Sequence, residues 1–121
     1  MNLQEINFEQ AKLLKQAGFV EHTTKFFDKN GVLTGSLPVN HNLHKDRFSC
    51  VTVPLALKWI RENTDYLLSV RPSLLSGYTY QVWYIKLSGQ YADCGGAETY
   101  EGAESAGLSE ILGYKNLNLT P

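Results

Sequence analysis

The chain has 121 residues, 43% of them hydrophobic and 19% charged, enough for one domain with a sizeable core and too apolar for a disordered segment. A formal net charge of −1 counts against a dedicated nucleic-acid binder, whose affinity comes largely from a basic face that displaces counterions. No apolar run approaches the roughly 18 residues of a membrane-spanning helix, and Met1-Asn2-Leu3-Gln4-Glu5-Ile6 lacks a basic stretch followed by an apolar one, so a cytoplasmic protein without membrane association is expected.

A first helix is predicted over 7–17. Asn7 is a good N-cap, Gln10 three residues on completes a capping-box pattern, and Leu13, Leu14 and Ala17 with Phe8 or Ala11 form an apolar stripe. Gly18 supplies the left-handed residue that ends helices. A hairpin follows, from Thr23–Phe27 to 32–37 around Asp28-Lys29-Asn30-Gly31, with Pro38 expected to end its second strand. Residues 39–47, with Asn40, His41, Asn42, His44, Lys45 and Asp46, read as a polar exposed loop, and 48–52 as a short strand. Pro54 opens a second helix that stops near Asn63 and is expected to hold Val53 outside the helical region. Ala56, Leu57 and Ile60 form its buried stripe, with Trp59 at the edge.

Period-two alternation marks 66–71 as a strand, 72–77 as a connection and 78–87 as the longest strand. In the latter, Tyr80, Val82 and Tyr84 point one way and Trp83, Ile85 and Leu87 the other, so the strand is central in a sheet or one of its faces meets another subunit. Ser88-Gly89-Gln90 turns the chain into a third strand at 91–94, which Gly95-Gly96 is expected to break. Thr99 caps a last helix with Tyr100, Ala103, Gly107, Leu108 and Ile111 on its apolar face; it is expected to reach Leu112 and end at Gly113. Gly102 and Gly107 inside it cost about 1 kcal/mol each relative to alanine, so it depends on packing, and Gly107 allows close approach to the sheet. The predicted class is α+β: a single small domain over 1–121, an antiparallel sheet of the N-terminal hairpin plus two or three C-terminal strands, packed by about three helices. Within it, 1–47 supplies helix, hairpin and polar loop, 48–113 a helix-strand-strand-helix core, and 114–121 a tail.

Three segments carry a resemblance. Glu9-Gln10-Ala11-Lys12-Leu13-Leu14-Lys15-Gln16-Ala17-Gly18-Phe19 is similar to "A-K-L-A-K-E-K-G-F", Val53-Pro54-Leu55-Ala56-Leu57-Lys58-Trp59-Ile60-Arg61-Glu62 to "A-P…L-x-K-W-L-R-E", and Thr99-Tyr100-Glu101-Gly102-Ala103 to "T-Y-E-E-A". In order and spacing they resemble a family of small proteins of Bacteroides-type gut bacteria and their phages and prophages. The resemblance implies an architecture and a mobile-element setting, and no activity, cofactor or catalytic residue. Gly102 stands where the pattern has a second glutamate, which removes the reciprocal capping contact.

Candidate chemistry is sparse. His41-x-x-His44 approximates metal-ligand spacing only on a helix; in a loop the pair reads as two exposed histidines, and no metal or other cofactor is expected. Cys50 with His41 or His44 lacks an orienting third group, and Cys50 and Cys94 form no disulfide framework and read as reduced thiols. Gly95-Gly96 is not followed by the Lys-Ser/Thr of a phosphate loop. Glu98, Glu101 and Glu104, in or before the first turn of the last helix, complement its dipole. The aromatic residues Tyr78, Tyr80, Trp83 and Tyr84, with Trp59, are the candidate interaction surface. The expected function is a non-enzymatic domain that binds another protein or itself, as in a homodimer. The alternative is a nucleic-acid-binding module with Lys58, Arg61 and Arg71 as contacts, by analogy with helix–strands–helix duplex binders.

Overall fold

The computed structural model describes residues 4–74, 76–84 and 91–116. The first helix, α1 (Phe8–Gln16), starts as its sequence dictates. The Asn7 side chain accepts from the Gln10 N–H at 2.8 Å while Gln10 Oε1 accepts from the Asn7 N–H at 2.9 Å. Gly18, at φ 102°, reverses the chain after it. Strands β1 (Thr23–Phe27), β2 (Leu33–Val39) and β3 (Phe48–Cys50) form an antiparallel sheet in the order β2-β1-β3. Asp28 Oδ1 closes the hairpin by accepting from the N–H groups of Asn30 (2.8 Å) and Val32 (3.0 Å).

Two expectations fail in this half. β2 does not end at Pro38 but continues to Val39, which pairs with Thr23. β2 is an edge strand, so a residue without an N–H is tolerated there. The segment after β2 is not simply exposed either. It forms a 3₁₀ turn at His41–Leu43, and His41 is fully buried. Asn42 folds the turn back, its Nδ2 donating to the Phe19 carbonyl (2.9 Å) and its Oδ1 accepting from the Ser49 N–H (2.8 Å). Lys15 Nζ reaches the carbonyls of His44 (2.6 Å) and Arg47 (2.9 Å). Desolvation by this packing lowers the Lys15 pKa, against an opposing effect of Asp46.

Helix α2 (Val53–Asn63) includes Val53, contrary to expectation. Thr52 is its N-cap, and the Val53 N–H is tied to the Gln4 carbonyl at 2.7 Å, a tertiary bond that overrides the local bias against helix before proline. The second sheet, in the order β4-β5-β6, contains β4 (Tyr66–Pro72), β5 (Tyr78–Tyr84) and β6 (Tyr91–Ala97), all antiparallel. β5 is central. The predicted 85–87 end of that strand, with Ile85 and Leu87, the turn 88–90 and the tail from 117 lie outside the described residues. β6 runs through Gly95 and Gly96 rather than breaking there, because Gly95 pairs with Tyr80 and leaves room for that ring: a Cβ on Gly95 would lie 2.6 Å from its Cζ. Helix α3 (Tyr100–Asn116) passes through Gly113 instead of ending on it.

α3 lies across all three strands of the second sheet and touches α1 and α2. Leu14, Val53, Ile60, Val82, Leu108, Ile111 and Leu112 meet in one buried cluster that joins both halves of the chain. The α+β class read from the sequence is the class observed, with its strands divided between two three-stranded sheets. Among the described residues no helix is long and apolar enough to cross a membrane.

Candidate functional site

The histidine and cysteine candidates are separated by the first sheet. Phe26 and Ser49 are register neighbours, as are Lys25 and Cys50, and successive residues of a strand face opposite ways. His41 stacks on Phe26, ring centroids 4.6 Å apart and planes at 29°, with the Arg47 guanidinium 4.5 Å from the same ring. Neither ring nitrogen of His41, nor the buried Ser49 hydroxyl, has a hydrogen-bond partner among the described residues. His44 is exposed, so the two histidines do not converge. Among the described residues there is no group of three or more His, Cys, Asp and Glu side chains placed to hold a metal.

Cys50, on the other face, points its thiol at Glu5 Oε2 and the Ile6 carbonyl, each at 3.9 Å. Burial, reinforced by the Glu5 charge, pushes this thiol up to about 12, the opposite of the depressed value a nucleophilic thiolate needs. In the native protein at pH 8, a thiol reagent is expected to modify exposed Cys94 quickly and buried Cys50 only after denaturant is added; mass spectrometry of the alkylated peptides checks this. Because the folded pKa is raised, the associated stability is intact below the ordinary thiol range and is lost as pH climbs towards 12.

At the start of α3, Thr99 Oγ1 accepts from the Gly102 N–H at 2.9 Å, and Glu101 occupies the first turn. Glu104 lies a turn later than expected for a dipole partner. Burial and then the Glu101 charge raise its pKa.

The second sheet divides the aromatic residues between two faces. Tyr80 and Val82 are buried on the face that receives α3, where Leu68 meets Gly107. Tyr78 and Tyr84 share this side: Tyr78 meets Tyr100 of α3 edge-on at 5.8 Å, and Tyr84 packs against its register partner Tyr66 at 5.0 Å. The Tyr66 phenol is raised by burial, then by Tyr84 and Asp65. Trp83 is on the opposite face with Gln81 and Thr79, flanked by Leu67, Ser69 and Arg71 of β4 and by Cys94 and Gly96 of β6. Ser69, Arg71, Cys94 and Gly96 are exposed; Leu67, Thr79, Gln81 and Trp83 are half-buried. The Trp83 indole N–H donates to Ser69 Oγ at 3.0 Å, which ties the ring to the neighbouring strand β4.

Trp59 is elsewhere. It meets Phe19 edge-on at 5.4 Å and lines a hollow of 280 Å³ with Glu21, His22, Val51, Leu55, Lys58 and Glu62. Periodicity missed Phe19 and His22, which join Trp59 only through the tertiary fold. Lys58 pairs with Glu62 at 4.0 Å, and Arg61 is exposed on the same helix. Arg71 lies five residues along β4 from its start, about 16 Å away at the strand rise of roughly 3.3 Å per residue. These three cations are therefore divided between two elements.

No protein-family model, no curated protein and no solved structure matches the chain.

Proposed function

We propose that this chain is a non-enzymatic protein-binding module whose contact surface is the outer face of β4–β5–β6. One observation carries the reading: α3 covers one side of that sheet, and the other presents Trp83 and Leu67 among the neutral hydrogen-bonding groups of Ser69, Thr79 and Gln81, with Arg71 at its margin. Protein interfaces are enriched in Trp and Arg and depleted in Lys, Glu and Asp, and this described face has that composition. Tyr78, Tyr80 and Tyr84 support the sheet from behind. The three motifs of the sequence support a phage or mobile-element setting for such a module.

The test is affinity capture from the host with the wild-type chain and with Trp83→Ala, followed by titration of whatever is retained. Loss of a hot-spot aromatic typically costs about 2 kcal/mol or more, a roughly 30-fold weaker complex. Capture of the same partners with equal affinity by both chains, at unchanged circular dichroism, would overturn the reading.

A second reading, duplex nucleic acid, is favoured by one observation: α2, β4, β5, β6 and α3 follow in the helix–three strands–helix order of double-stranded-RNA-binding domains. Charge argues against it. A helix N-terminus is a natural phosphate site, and here that of α3 is flanked by Glu98 and Glu101, while Lys58 is paired to Glu62. A salt-dependent shift of a duplex in a low-salt gel, lost in Arg71→Ala, would move the assignment to this class.

A further inference from the structure

We infer that the open edge of β2 pairs with β2 of a second copy, antiparallel and two-fold about Gly35, to make a continuous six-stranded sheet. This uses the first sheet and none of the residues assigned to the outer face of the second, so either reading can fail alone.

Among the described residues β2 is the outermost strand of its sheet, and all 7 of its residues are exposed. Leu37 is 77% exposed and Leu33 41%. Natural sheets blunt such edges with charge, proline or bulges; residues 31–40 contain no Asp, Glu, Lys or Arg, and Pro38 with its bulge guards only the far end of β2. The uncharged stretch from Leu33 to Gly35 leaves its outward main-chain groups accessible to strand addition.

The occupant follows from the order of the residues. Residues 33–37, Leu-Thr-Gly-Ser-Leu, read nearly the same in both directions. An antiparallel two-fold sets Leu33 against the partner's Leu37, Thr34 against the partner's Ser36, and Gly35 against its own copy. Aliphatic pairs and hydroxyl pairs are both favourable across strands, and a closed two-fold contact needs a patch complementary to itself. Leu33 also stands beside its register partner Phe27, whose ring is 5.7 Å from that of Phe8, so each new leucine pair extends an apolar ridge already formed.

The fold also limits the contact. Between the Lys25–Gly35 and Thr23–Val39 pairs, residues 36–38 oppose Thr24 alone, a bulge, and Pro38 offers no N–H. The ladder is therefore at most five residues long, 33–37, with Ser36 and Leu37 already at the start of the bulge. It buries less than the roughly 1,200 Å² of a standard interface, which places it among weak, concentration-dependent associations with a dissociation constant on the order of 100 µM.

Gly35 gives a clean test. A Cβ there would meet only the Thr24 carbonyl oxygen, at 4.0 Å, so a side chain at this position leaves the protomer intact. Sedimentation velocity from roughly 10 to 1,000 µM is expected to show the wild type shifting from monomer towards dimer. Gly35→Lys, which sets two like charges across the axis, should weaken association about tenfold or more, and Trp83→Ala should leave it unchanged. In a Cys94→Ser background, Gly35→Cys should oxidise to a linked dimer much faster than Leu33→Cys, which faces a leucine. A wild type that stays monomeric throughout leaves the edge to a strand of some other protein and overturns the inference. So does a Gly35→Lys chain that associates like the wild type, or equal linking of the two cysteine variants.

Discussion

Replacing Gln10 with alanine is expected to destabilise the protein by about 3 kcal/mol, lowering the melting temperature by roughly 10 °C. The residue is only 2% exposed and connects elements distant in the chain. Its Oε1 holds the Asn7 N–H at the start of α1, while its Nε2 donates to the Ser105 carbonyl (3.0 Å), Ser105 Oγ (2.9 Å) and Ser109 Oγ (3.0 Å) of α3. Alanine removes the reciprocal half of the capping box, leaving the Asn7 N-cap bond in place, together with the inter-helix bonds and most of the side-chain volume. Gln10→Met separates these contributions: it keeps the volume, so its smaller loss, about 1–2 kcal/mol, measures the unpaired Asn7 donor and serine hydroxyls alone. Gln10→Glu adds a sign test. An ionised carboxylate facing the Ser105 carbonyl is repelled, whereas a protonated one donates to it, so this variant should recover stability as pH falls from 7 towards 4. Denaturant titrations of the three variants decide the matter; a Gln10→Met loss equal to that of alanine would show that the polar contacts carry the whole effect.

Gln10 also marks where the sequence stops being informative. Its capping role was legible because both partners lie within three residues. Its bonds to α3 were not, because nothing local in Asn7-Phe8-Glu9-Gln10 refers to Ser105. The hairpin shows the same division. Asp28, Asn30 and Gly31 announce the turn, but whether β2 would be covered depends on where β3 docks, and β3 docks on the other side of β1. The polar neighbours of His41 mark it as a loop histidine; its burial comes from stacking on Phe26, fifteen residues earlier. Glycine signals misled twice, for physical reasons. Gly95 is in a strand because the Tyr80 ring occupies the space a side chain would fill, and Gly113 continues a helix because packing of Ile111 and Leu112 outweighs its weak propensity. The alternation along β5 correctly placed Trp83 opposite Tyr80 and Tyr84. Which of those faces would remain open could not be read from alternation, since a single helix, α3, decides it. The cluster named as one candidate surface is thus divided between the two faces of the sheet, with Tyr78, Tyr80 and Tyr84 on the α3 side and Trp83 on the other.

The same sheet–helix contact makes the second large prediction. Gly107→Val is expected to cost about 3 kcal/mol, because a Cβ on Gly107 would fall 2.8 Å from Leu68 Cδ2 and still closer to its Cδ1. Gly107 and its neighbour Leu108 are buried against β4, so α3 cannot lift locally without opening the core around Val82 and Ile111. Gly107→Ala should behave differently. It gains about 1 kcal/mol of helix propensity and loses a comparable amount by displacing the Leu68 methyl groups, so its net change is small. Shortening the opposing side chain exposes the coupling: Leu68→Val combined with Gly107→Ala should be less destabilising than the sum of the two single changes, by about 1 kcal/mol. Strict additivity in that cycle would mean that the helix and strand are further apart than the structure places them. It would also undermine the functional reading, because the outer face of β4–β5–β6 can present Trp83 as a rigid surface only if α3 is seated firmly against the inner one.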